Sequence, residues 1–114
     1  MDLLIDIETE ENKTTVHLSG EIDVYTAPRL KESILPLTEY ENNVIEVFFD
    51  HVTYMDSTGL GVFIGALKST KENGSTLRLV NLQDRVLRLF KITGLDEIID
   101  INYTIGGKNG NGNI

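Results

Sequence analysis

A chain of 114 residues is the size of one compact domain with a single core. It contains no cysteine, which removes disulfides, thiolate metal sites and thiol nucleophiles together. Eighteen acidic residues against ten basic ones give a formal charge of −8. No cluster of Lys and Arg offsets this, so the surface repels phosphate backbones and direct nucleic-acid binding is not expected.

The chain starts Met1-Asp2-Leu3-Leu4-Ile5-Asp6, with acidic residues where a secretory leader carries basic ones. Its longest apolar stretch, Gly59 to Leu67, is far too short to cross a bilayer. The expectation is a cytoplasmic protein without a membrane partner. Apolar residues alternate at Leu3, Ile5 and Ile7, and again at Val16 and Leu18. With the polar turn Glu10-Glu11-Asn12-Lys13 between them, the pattern predicts an antiparallel hairpin. Thr26 is placed to cap a first helix with Pro28 in its first turn and Leu30, Ile34 and Leu37 inward. Pro36 bends or frays that helix near its end.

Val44-Ile45-Glu46-Val47-Phe48-Phe49 is nearly all apolar, which predicts a strand covered on both faces. A second helix is expected from Thr58 to Asn73, with Leu60, Ile64 and Leu67 inward and Gly74 just past its end. Thr76 to Val80 reads as a strand. A third helix begins near Asp84, turns Val86, Leu89 and Phe90 inward and stops at Gly94. Ile98 to Ile101 reads as a short last strand. The order β-β-α-β-α-β-α-β predicts an α/β fold: a mostly parallel central sheet, entered through the antiparallel hairpin and covered by helices. Periodicity leaves open which face each helix covers. Residues 1–102 are expected to form the domain, and the Gly- and Asn-rich residues 103–114 a flexible tail.

Tyr54-Met55-Asp56-Ser57-Thr58-Gly59-Leu60-Gly61-Val62 follows a strand and opens a helix. A helix start offers unpaired N–H groups and partial positive charge, suited to a hydroxyl or a phosphate. Asp56 or Ser57 acting as a plain cap accounts for the same residues. Leu60, however, stands where a capping box needs Glu or Gln. Gly59 and Gly61 leave the first turn open to another backbone, or let the helix pack tightly on the sheet together with Gly65.

Met55-Asp56-Ser57-Thr58-Gly59-Leu60-Gly61 resembles the phosphoacceptor loop of anti-sigma factor antagonists, stand-alone members of the STAS (sulfate transporter and anti-sigma antagonist) domain family. Ser19-Gly20-Glu21-Ile22-Asp23-Val24-Tyr25-Thr26-Ala27-Pro28 resembles the turn after that family's second strand. Arg88-Leu89-Phe90-Lys91-Ile92-Thr93-Gly94-Leu95 resembles its last helix. Within the family, Asp23 to Pro28 and the Ser57-Thr58 pair resemble the general-stress members more than the sporulation member. The resemblance implies a STAS-type domain that binds an anti-sigma factor which is also a serine kinase, and so releases a sigma factor. It implies phosphorylation at Ser57, less so at Thr58, and a serine phosphatase that reverses it. It places partner contacts at Asp23, Tyr25, Thr26, Asp56, Thr58, Gly59 and Gly61.

Without the resemblance, the Asp23 turn also reads as a turn and helix cap alone. A small serine hydrolase or a nucleotide-binding protein is the competing reading for Ser57 and the glycines. Against it, the dinucleotide fingerprint is incomplete at Ile64, Met55 stands where a nucleophile elbow needs glycine, and no Walker lysine is present. His17 and His51 are isolated and expected at the surface. No catalytic residue, cofactor or metal is expected.

Overall fold

The structure, a computed structural model, describes residues 2–105 and 108–111. Strands β1 (Leu3–Glu10) and β2 (Lys13–Ile22) form the opening hairpin. Helix α1 (Ala27–Ile34) passes at Pro36 into a 3-10 turn over Leu35–Glu39. Strand β3 (Val44–Met55), helix α2 (Ser57–Asn73), strand β4 (Thr76–Leu82) and helix α3 (Asp84–Ile92) follow. Strands β5 (Asp100–Ile105) and β6 (Lys108–Asn111) complete the described chain.

The six strands lie side by side in sequence order, β2 to β5 parallel and both end pairs antiparallel. Successive right-handed crossovers that always advance in one direction must lay their helices on one face of the sheet. Burial follows that rule. Val16, Val47, Leu79 and Ile101 stand in register across four strands and are all buried. Phe49 of β3 meets Phe63 of α2 at 5.3 Å and Phe90 of α3 at 6.5 Å between ring centroids. Each such ring stabilises the fold by about 1.5–3 kcal/mol on burial.

Strand β3 is therefore covered on one face, not on both. Val44, Glu46 and Phe48 point to the open side and are half-buried. There Phe48 stacks on His17 at 4.7 Å, and an ion-pair ladder crosses four strands: Lys13 to Glu46, Glu46 to Arg78, Arg78 to Asp100. Neighbouring side chains thus shelter apolar residues that look like the mark of a second helical layer.

Helix α2 turns Leu60, Phe63, Ala66 and Thr70 inward, while Ile64 is 36% exposed and faces out. Leu87 joins Val86 and Phe90 in the buried face of α3, and Leu89 packs at its margin. The last parallel strand starts two residues later than expected, because Leu95–Glu97 form a 3-10 turn after Gly94. Tyr103–Ile105 extend β5, and Lys108–Asn111 pair with it as β6. The expected tail from 103 onward does not anticipate these strands; residues 106–107 and 112–114 lie outside the described residues. No described helix is long and apolar enough to cross a membrane.

Candidate functional site

The parallel ladder brings the carboxyl ends of β2 and β3 together. Ile22 pairs with Met55, and the Asp56 N–H donates to the Ile22 carbonyl at 3.3 Å. The Asp23 turn and the Ser57 loop are therefore neighbours held by backbone.

Within the turn, Asp23 Oδ1 accepts hydrogen bonds from the N–H groups of Tyr25 (2.9 Å) and Thr26 (3.0 Å). The Thr26 hydroxyl donates to the Glu21 carbonyl at 2.8 Å and accepts from the Asp23 N–H at 2.9 Å. Thr26 thus occupies the cap position of α1 without capping it by its side chain. Its hydroxyl is committed to the preceding strand end instead. Asp23 is 8% exposed and Thr26 6%, so both side chains are largely shielded within the turn. Burial alone would raise the Asp23 pKa. The hydrogen bonds from the Thr26 and Tyr25 N–H groups, and from the Thr26 hydroxyl, outweigh it and hold the carboxyl below its ordinary value. The turn projects Tyr25 (81% exposed) and Val24 (58%) instead. Sequence reasoning named Tyr25 and passed over Val24; the visible signal was an apolar pair in an otherwise polar turn.

In the loop, Asp56 is the cap of α2: its Oδ1 accepts from the N–H groups of Thr58 (2.9 Å) and Gly59 (3.4 Å). Ser57 is the first residue of the helix, exposed, and its hydroxyl has no hydrogen-bond partner among the described residues. Thr58 is also exposed. The two glycines separate in role. A β-carbon on Gly59 would lie 2.6 Å from Met55 Cγ and 2.7 Å from Ile22 Cγ2, so Gly59 is buried and lets the helix settle on the strand ends. Gly61 is exposed, and a β-carbon there would meet nothing within 4 Å. Gly61 therefore remains open to another chain, whereas Gly59 does not. Gly65 also meets nothing within 4 Å, so it plays no part in tight packing on the sheet.

Chemically the site joins a free hydroxyl to helix N–H groups that favour an added negative charge. Asp56, the carboxylate next to Ser57 in the chain, commits Oδ1 to its two cap bonds. Among the described residues no group of three or more His, Asp and Glu could hold a metal ion. Among the described residues the strand order never reverses, so the sheet lacks a topological switch point.

An α/β domain with all its helices on one sheet face, presenting a serine from the start of its middle helix beside a rigid strand-end turn, defines a class of small docking modules. The chain belongs to the STAS domain family, whose model matches residues 5–107. It is 48% identical over 102 residues to the anti-sigma-B factor antagonist of Bacillus subtilis, covering 90% of this chain and 93% of that one. The fold matches an anti-sigma factor antagonist from Mycobacterium paratuberculosis with a TM-score of 0.73 at 24% identity, over 92% and 88% of the two chains. It also matches the Bacillus anti-sigma factor antagonist SpoIIAA. The unphosphorylated form gives a TM-score of 0.72 at 19% identity over 86% and 87% of the chains. The phosphorylated form gives 0.67 at 18% over 86% and 90%.

Proposed function

We propose that this protein is an anti-anti-sigma factor of the general-stress type, a cytoplasmic binding switch without an enzymatic reaction of its own. Unmodified, it docks on an anti-sigma factor that is also a serine kinase, and the sigma factor is released. Transfer of the γ-phosphoryl group of ATP to the Ser57 oxygen, with ADP leaving and the hydroxyl proton passing to the kinase, ends the complex. A serine phosphatase restores the docking form by hydrolysis.

The observation that carries this reading is the exposed, unbonded Ser57 hydroxyl at the first position of α2, beside the buried Asp23–Thr26 turn. The contact surface comprises Tyr25 and Val24 from the turn, and Ser57, Thr58 and Gly61 from the helix start. Asp23, Thr26, Asp56 and Gly59 shape that surface from beneath.

The charge arithmetic supports a switch. A phosphate adds about −1.5 to −2 charges at neutral pH. One like charge about 5 Å away costs about 3 kcal/mol at an effective dielectric near 20, which is roughly a hundredfold in affinity. Helix amides offset part of this inside the protein, so the fold survives and the docking fails. The formal charge of −8 supports a protein partner over nucleic acid.

Titration of the candidate anti-sigma kinase with Ser57→Ala and Ser57→Asp tests the proposal. The alanine variant is expected to bind as the parent does and to take no phosphate from ATP. The aspartate variant is expected to bind about tenfold to a hundredfold more weakly. Equal affinities, or phosphate incorporated elsewhere in the chain, would overturn it.

A further inference from the structure

The open face of the sheet divides into two halves. Toward its amino end the ladder Lys13–Glu46–Arg78–Asp100 matches two cations to two anions. Toward its carboxyl end lies a hollow of about 470 Å³ lined by Leu4, Asp6, His17, Phe48, Asp50 and His51. No Lys or Arg lines it. Asp6 stands opposite His17 in the β1–β2 register and has no ion-pair or hydrogen-bond partner among the described residues.

The hollow is held in shape by its own backbone. Pairing registers shift between His17 and Ser19 in β2 and between Val80 and Leu82 in β4, as at β-bulges, which turn side chains away from the regular pleat. At the second shift Asn81 adopts a left-handed backbone, φ +59°. Its side-chain amide donates to Asp50 Oδ2 at 2.9 Å, and Gln83 donates to the Asp50 carbonyl at 2.9 Å. Asp50 is thereby fixed at the rim with its second carboxylate oxygen unpaired among the described residues. The His17 and Phe48 rings, stacked on each other 19° from parallel, line the hollow beside it as one aromatic pair.

We propose that this hollow receives an arginine side chain from a partner protein. An anion would face two carboxylates, and a neutral apolar group would leave Asp6 without a partner. An ammonium pairs with carboxylate as a compact, strongly hydrated charge. A guanidinium satisfies both features at once, because it bonds carboxylates through its fork and lies flat against aromatic rings. The site is separate from the Ser57 loop, and it stands whether or not that loop is a phosphorylation switch.

The test is an amide chemical-shift titration of the full chain with the capped peptide acetyl-Arg-Gly-Arg-Gly-Arg-amide, beside twins carrying citrulline or lysine in place of arginine. With the arginine peptide, shifts are expected around His17, Phe48, His51 and Asn81, while Ser57 and Thr58 stay still. Asp6→Asn is expected to raise the Kd about tenfold. Phe48→Leu, which keeps apolar bulk and removes the ring, is expected to weaken binding as well. The proposal is overturned by shifts centred on the Ser57 loop or spread over the whole acidic surface. Equal binding of either twin, or an unchanged Kd in Asp6→Asn, overturns it too.

Discussion

Gly59 rests directly against Met55: a β-carbon added to Gly59 would stand 2.6 Å from Met55 Cγ, with Ile22 Cγ2 as close at 2.7 Å. The first turn of α2 thus lies on the ends of β2 and β3 with no room between. Gly59→Ala is expected to destabilise the protein by about 1–3 kcal/mol, the usual cost of overpacking a core. Gly61→Ala meets nothing within 4 Å and is expected to gain about 0.5–1 kcal/mol from helix propensity while weakening partner docking. Urea unfolding and partner titration of both variants separate the two roles. A stable Gly59→Ala protein would contradict the packing.

Asp56 and Ser57 are adjacent, yet they are expected to fail in opposite ways. Asp56 satisfies the N–H groups of Thr58 and Gly59, so Asp56→Ala is expected to cost about 0.5–2 kcal/mol of stability. Ser57 makes no bond and its side chain is exposed. Ser57→Asp adds charge at a helix start that favours it, so stability is expected within about 0.5 kcal/mol of the parent. Denaturant midpoints at neutral pH check both values.

Much of this architecture is legible in the sequence, for physical reasons. Alternation at Val16 and Leu18, the Gly74 stop and the polar-to-helical switch at Asp56 are local signals that survive tertiary packing. Asp56, Ser57 and Gly61 could be singled out because a helix start needs few long-range contacts to define it. Other features depend on contacts between segments. Phe48 looks like core until its stacking on His17 is known. Thr26 looks like a cap until Glu21 takes its hydroxyl proton. Ile64 fits the helical period of Leu60 and Leu67 and still faces out, because Phe63 and Ala66 set the direction of the buried stripe. The strand pairing of Lys108–Asn111 with β5 has no apolar alternation to announce it.

Asp23 makes the acid response of the turn predictable. Its carboxyl is held below the ordinary value of 3.8 by hydrogen bonds that only the folded turn supplies. A depressed folded pKa contributes stability that is fully present above the unfolded value and lost as pH falls through the folded one. Asp23→Asn is therefore expected to be less stable than the parent at pH 7. The gap should begin to narrow as pH drops below about 3.8, where the unfolded chain's carboxyl takes up its proton, and should close as pH falls through the lower folded value. Urea midpoints of both proteins from pH 7 down to pH 3 measure this, and a gap that widens toward acid would contradict the assignment.

The β1–β2 hairpin closes through the two residues Glu11 and Asn12, since Glu10 pairs directly with Lys13. Glu11 holds a φ of +51°, a left-handed conformation that costs an L-residue about 1–2 kcal/mol and glycine nothing. Glycine at that position loses about 0.5–1 kcal/mol of extra chain entropy on folding. Glu11→Gly is therefore expected to gain up to about 1 kcal/mol, which raises the Tm of a domain this size by about 4–8 °C per kcal/mol. Asn12, in the same turn, does not share the positive φ, and its carbonyl accepts from the Val44 N–H at 2.8 Å. Asn12→Gly gains no relief and carries the entropy cost, so its Tm is expected to fall. Opposite signs at adjacent turn positions, read by thermal unfolding, trace the effect to backbone conformation rather than to glycine content or charge, and two shifts of the same sign would refute the turn geometry.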